Sequence, residues 1–133
     1  MKYVLALIIA LVLNATANLL MKVGMKSVAA AGGILKDGIA AAITTVSTTA
    51  PLIIGLTCFL LNAVFYMYAL QSKALKISIA YPIMVGGGYA LIAIVARFHP
   101  ALGEHLTWGQ TLGVALVLVG IVLIAAQMNT AAA

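Results

Sequence analysis

The side chains able to do chemistry inside the long apolar stretches of this sequence are chiefly amides and phenols. Asn14, Asn18 and Lys22 recur at i, i+4 and i+8, so they share one face of a helix. Asn62 and Tyr66 repeat the four-residue spacing further along, with Phe59 and Phe65 beside them. Tyr81 precedes Pro82 and the run Gly86-Gly87-Gly88. Amides hydrogen-bond headgroups and hydroxyls, and aromatic faces cradle a cation or a sugar. Neither group releases a proton near neutral pH. The two acids, Asp37 and Glu104, lie outside the apolar stretches. The carboxylate that a proton-coupled pump keeps at membrane depth is therefore missing from them.

Each feature has a plainer alternative. Asparagine in a membrane helix also serves as adhesion between helices, worth about 1 kcal/mol. Aromatics near helix ends act as interface anchors, although Asn62 lies mid-span and is better read as lining a cavity. The Pro82 and Gly86–Gly88 segment has weak helicity and could bend as alternating access requires; the same glycines let backbones approach closely. Gly109 and Gly113 form a G-x-x-x-G pair, and with Gly120 they make a dimer seam plausible. His99, Glu104 and His105 contain zinc-ligand types, but nothing fixes their geometry and a solvated loop is the better reading. No metal, cofactor or catalytic constellation is expected, so an enzyme is not.

Four apolar runs must position these residues: Tyr3–Met21, Pro51–Leu70, Ile77–Phe98 and Thr107–Gln127. Each approaches the ~20 residues a helix needs to cross a bilayer core. The composition agrees, with 65% hydrophobic and 7% charged residues in 133 and a mean hydropathy of +1.24. So many apolar side chains exceed what a soluble core of this length can hide, so lipid is the solvent. The fold expected is an all-α, single-domain bundle of four transmembrane helices. Cys58 is the one cysteine and says nothing about compartment. The net charge of +5 is scattered as single cations, which suits lipid headgroups and argues against a nucleic-acid partner. Lys2, the stretch Tyr3–Leu13 and Ala15-Thr16-Ala17 imitate a signal peptide; the run continuing through Met21 favours a span.

The connection 23–50 carries Lys26, Lys36, Asp37, Gly32-Gly33 and a Thr/Ser-rich run. It reads either as a loop or as short interfacial helices over Ala29–Ala31 and Ile39–Ile43. Pro51 reads as a first-turn residue. With four spans both termini share a side, which holds Lys2, Lys73 and Lys76; Lys22, Lys26, Lys36 and Arg97 lie on the other. That near balance gives the positive-inside rule little to act on, so insertion in both orientations and an antiparallel dimer are expected.

The string Leu13–Lys22 resembles the first helix of the small multidrug resistance transporters, and Ile79–Gly88 resembles their third. Gly103-Glu104-His105-Leu106 with Gly113 and Gly120 is similar to their last loop and helix, a pattern shared with EamA-type half-transporters. The resemblance covers the spans and not the insert. It implies a four-helix subunit working as a dimer, with a pocket built by the first three helices and contacts from the fourth. The family's first-helix glutamate falls on Asn14, and the third-helix tryptophan of drug exporters falls on Met84, while Tyr81 keeps the tyrosine. Aminoarabinose–undecaprenyl-phosphate flippase subunits also lack the glutamate and carry a motif similar to Ala80-Tyr81-Pro82. The function expected is therefore translocation of a lipid-linked sugar or similar amphiphile. Asn14, Asn18, Asn62, Tyr66, Tyr81 and Met84 would line the pocket, and Lys22 or Lys26 would pair with a phosphate. The chain would work as a homodimer or beside a homologous subunit. Two alternatives stay open: a proton-coupled exporter of small cations, and an assembly subunit that transports nothing.

Overall fold

The computed structural model describes residues 1–30, 46–99 and 105–127. Four helices occupy them: α1 (Lys2–Ala30), α2 (Val46–Ala69), α3 (Ile77–Phe98) and α4 (Trp108–Ala126). All four are long and apolar enough to cross a bilayer, α2 through its Ala50–Ala69 portion. The last two spans match expectation to a residue, with Thr107 and Gln127 capping α4 rather than lying within it. The Thr107 side chain accepts from the Gln110 amide, and the Gln110 side chain accepts from the Thr107 N–H at 2.8 Å. This reciprocal box satisfies two donors that a helix start leaves open.

Two boundaries depart from the sequence reading. Helix α1 does not stop at Met21; it runs through Lys22 and Lys26 to Ala30. Lysine favours helix, and its long stem lets the ammonium reach the headgroups while the backbone stays ordered. At 29 residues and 1.5 Å each, α1 is about 43 Å long, more than the roughly 30 Å hydrocarbon core. Helix α2 begins at Val46, so Pro51 lies inside it rather than in its first turn. The proline leaves the Ser47 carbonyl without its usual donor. Much of the expected loop 23–50 is thus helix at both ends, and Ala29 and Ala30 belong to α1. Lys36, Asp37, Ile39–Ile43 and Glu104 lie outside the described residues.

Helix α1 runs antiparallel to α2, parallel to α3, and packs along both; α4 packs on α3. Lipid tails are as apolar as leucine, so membrane helices associate through close van der Waals fit. Alanine and glycine supply that fit here: Ala6, Ala10, Ala15, Ala17 and Gly24 are among the buried residues of α1. A Cβ on Gly55 of α2 would sit 3.1 Å from the Ala17 carbonyl and 3.2 Å from the Met21 nitrogen, both backbone atoms. Helix α3 is continuous through Pro82 and all three glycines. Its Gly87 faces Leu11, Gly88 faces Asn14, and Gly86 faces Val117 and Ile121 of α4. Helix α4 is held far more loosely, with Val114 its one buried residue. Gly109, Gly113 and Gly120 have open space before them.

Gly55→Val should force α1 and α2 apart and lower the unfolding free energy in detergent by about 1–3 kcal/mol. Gly113→Val, on the open face, should leave the unfolding of the monomer unchanged. Denaturant titration followed by circular dichroism measures both.

Candidate functional site

Several polar side chains in the spans are satisfied by their own helix. The Thr16 hydroxyl donates to the Val12 carbonyl at 2.8 Å and the Thr57 hydroxyl to that of Ile53 at 2.9 Å. The Ser27 hydroxyl donates to the Val23 carbonyl at 3.3 Å. Asn18 Nδ2 donates to the Asn14 carbonyl at 2.8 Å and approaches Asn14 Oδ1 at 3.4 Å. Such back-bonding is how a polar side chain tolerates hydrocarbon.

Two groups do not follow this pattern. Asn62 is 5% exposed, and its Oδ1 is buried with no hydrogen-bond partner. The Tyr66 hydroxyl, one turn on along the same face of α2, is also buried and unpartnered. An unsatisfied buried polar group costs about 1–3 kcal/mol. Two of them one turn apart make this face of α2 the candidate site.

The surroundings assemble most of the residues singled out from the sequence. Tyr66 packs against a core of Ala6, Leu7, Ala10, Ala69, Ala80 and Met84, which joins α1, α2 and α3. Tyr81 of α3 is an electrostatic neighbour of Tyr66, although its side chain is 54% exposed. Asn14 lies one turn beyond Ala10 on α1, as Gly88 lies one turn beyond Met84 on α3. The two meet there: a Cβ on Gly88 would come within 3.0 Å of Asn14 Nδ2. Tyr3 opposite Tyr68 and Met21 opposite Gly55 set the register of α1 against α2. That register puts Asn62 at the level of Ala10–Asn14. Asn14 and Asn62 thus lie near the middle of their spans, with Tyr66 one turn nearer the Tyr3 end.

Other expected site residues stand apart. Asn18 is exposed, and Lys22 and Lys26 are exposed further along α1, toward the end away from Tyr3. Tyr3 was missed by sequence reading; it packs against the same core, with its ring 5.4 Å from that of Tyr68 and Lys2 Nζ 5.2 Å from its centroid. Its signal was the pairing of aromatics at opposite ends of two antiparallel spans. Among the described residues no group of three His, Cys, Asp or Glu could hold a metal. His99 and His105 are both exposed.

Four helices long and apolar enough to cross a bilayer, three of them meeting at an uncharged polar cluster, define a multi-pass membrane protein. The chain is 35% identical over 75 residues to the probable 4-amino-4-deoxy-L-arabinose-phosphoundecaprenol flippase subunit ArnF of Shewanella sediminis, covering 56% of this chain and 50% of the relative. It is 36% identical over 76 residues to the protein of the same name in Erwinia tasmaniensis, covering 57% and 58%. It is 38% identical over 71 residues to the uncharacterized protein y4nH of Sinorhizobium fredii, covering 53% and 57%. The chain thus spans about half the length of the curated relatives it matches. No family model and no solved structure matches it.

Replacing Asn62 by leucine removes the orphaned carbonyl while nearly conserving volume. Asn62→Leu should raise the unfolding free energy of the unliganded protein by about 1–3 kcal/mol, measured by denaturant titration in micelles. A loss of stability would mean that Asn62 already has a partner.

Proposed function

We propose that this chain is a half-size transporter subunit of small multidrug resistance/EamA type that moves a lipid-linked sugar or similar amphiphile across the bacterial inner membrane. One observation carries the reading: the buried, unpartnered Asn62 carbonyl near mid-span, with the buried, unpartnered Tyr66 hydroxyl one turn toward the boundary, in spans that hold no acid. The flippase names of two relatives point the same way.

The physics favours an amphiphile. Its hydrocarbon tail stays in the bilayer throughout, so only the headgroup needs shelter. Each hydroxyl carried into hydrocarbon without a partner costs several kcal/mol. Uncharged amides and phenols replace the lost water contacts without fixing a charge. The Asn62 carbonyl accepts from a sugar hydroxyl, and the Tyr66 hydroxyl donates to or accepts from another. Asn14 and Asn18 extend this polar path along α1, with Met84 and Tyr81 forming the α3 wall. A linking phosphate pairs with Lys22 or Lys26, nearer the membrane boundary. Gly86–Gly88 and Pro82 form the element about which α3 flexes. Two copies, or this chain and a homologous partner, pair head to tail through Gly109, Gly113 and Gly120. The exposed face of Tyr81 then turns toward the second subunit.

Proteoliposomes containing the protein and a fluorescent polyprenyl-phosphate sugar test this directly. Quenching from outside should show movement of label between leaflets. Asn62→Leu should slow it about tenfold, the effect of losing a little over 1 kcal/mol of hydrogen bonding. No movement by the intact protein, in any pairing, would sink the reading. A pH-driven export of cationic dye by Asn14→Asp, with no lipid movement by the parent, would show a drug-exporter pocket instead.

A further inference from the structure

Helices α3 and α4 meet where Gly86 faces Val117 and Ile121 and where Val114 packs on Ala90 and Ala93, and a groove opens toward each end of this seam. The groove between the start of α3 and the end of α4 has a volume of about 380 Å³ and is lined by Lys76, Ser78, Ile79, Leu123, Ile124 and Gln127. Its layout is ordered by depth. Lys76 is the last residue before α3 and Gln127 the first after α4, so both sit where the spans leave the bilayer. The Lys76 ammonium, the Ser78 hydroxyl and the Gln127 amide bring hydrogen-bond donors to that level. Ile79, Leu123 and Ile124 form an apolar wall beneath them. Lys73 adds positive charge to the same turn, and no acid lies between Ala69 and Arg97 to oppose it.

The groove at the other end of the seam is a natural comparison. It measures about 250 Å³ and is walled almost entirely by apolar side chains, with Arg97 and Thr111 its polar residues. It offers room for a hydrocarbon chain but little to hold a headgroup. The difference between the two grooves lies in the polar rim, not in the apolar floor.

We propose that the Lys76 groove binds an anionic phospholipid from the surrounding leaflet. The phosphate sits against Lys76, Ser78 and Gln127, and one acyl chain runs down over Ile79, Leu123 and Ile124. Charge decides for an anionic lipid over a zwitterionic one. The rim presents a cation and donors, and the whole chain carries a net charge of +5. The lipid also covers part of the seam that attaches the loosely held α4 to α3.

Native mass spectrometry of the full chain in detergent, titrated with phosphatidylglycerol, phosphatidylcholine or inorganic phosphate, tests this. Phosphatidylglycerol should form discrete adducts that phosphatidylcholine forms more weakly and that excess inorganic phosphate does not displace. Lys76→Gln should weaken phosphatidylglycerol binding about fivefold, the change expected of one cation at a membrane surface. Lys76→Arg should restore it and Arg97→Gln should leave it intact. Equal binding by Lys76→Gln and the parent overturns the proposal. Displacement by inorganic phosphate also overturns it, since the ligand would then be a free anion. Efficient disulfide cross-linking of Ser78→Cys on one copy to Leu123→Cys on another would show a second copy in the groove and overturn it as well.

Discussion

Inside a bilayer there is no water to take up a hydrogen bond, so each polar atom must be satisfied by the protein or by what the protein carries. This chain meets that requirement in three ways. Backbone groups are absorbed into four helices. Thr16, Ser27, Thr57 and Asn18 bond back to carbonyls of their own helix. The Asn62 carbonyl and Tyr66 hydroxyl are the departure, buried at the meeting of α1, α2 and α3 and left without partners. The functional reading follows from that departure, because an unmet hydrogen-bonding demand in a dry site is a demand a ligand can meet.

The packing explains why the site lies among three helices and not four. Alanine and glycine bring α1 within backbone contact of α2 at Gly55, and let α3 reach Leu11 and Asn14 at Gly87 and Gly88. Glycines and alanines seat the Leu11, Met21 and Leu52 side chains between these helices, so Asn14 and Asn62 lie near mid-span with Tyr66 one turn away. Helix α4 attaches to α3 at Gly86 and through Val114 against Ala90 and Ala93, and otherwise turns large apolar side chains outward; Trp108 at its start is 83% exposed. A tight trio holding the polar cluster and a fourth helix free to engage lipid or another subunit is a division of labour that the apolar runs alone do not reveal.

Much of this was legible in the residues. The length and hydropathy of the runs set the spans, because bilayer thickness leaves a helix few alternatives. Ile77–Phe98 coincides with α3 and Thr107–Gln127 exceeds α4 by its two cap residues, since Lys76, Thr107 and the polar turn before α3 interrupt the apolar pattern sharply. The end of α1 was not, because Lys22 and Lys26 look like a stop signal and are in fact helix formers with long reach. Pro51 misled for a similar reason: a proline suited to a first turn is also tolerated inside a membrane helix. The i, i+4 spacing of Asn62 and Tyr66 identified the pair. That Asn62 and Tyr66 lack partners while Asn18 has one depends on the contacts across three helices, which spacing does not encode.

The central claim is that Asn62, dry in the unliganded resting state, lies on a route that opens to water and substrate when the helices move, and is not permanently sealed in a helix contact. Thiol labelling of Asn62→Cys in a Cys58→Ala background, in intact membrane vesicles, tests it most directly. The account predicts slow but complete modification by a small membrane-impermeant reagent, suppressed by a short-chain lipid-linked sugar, while a lipid-facing Leu116→Cys does not react. Labelling of Asn62→Cys only by lipid-soluble maleimides, with no protection by the amphiphile, would contradict it.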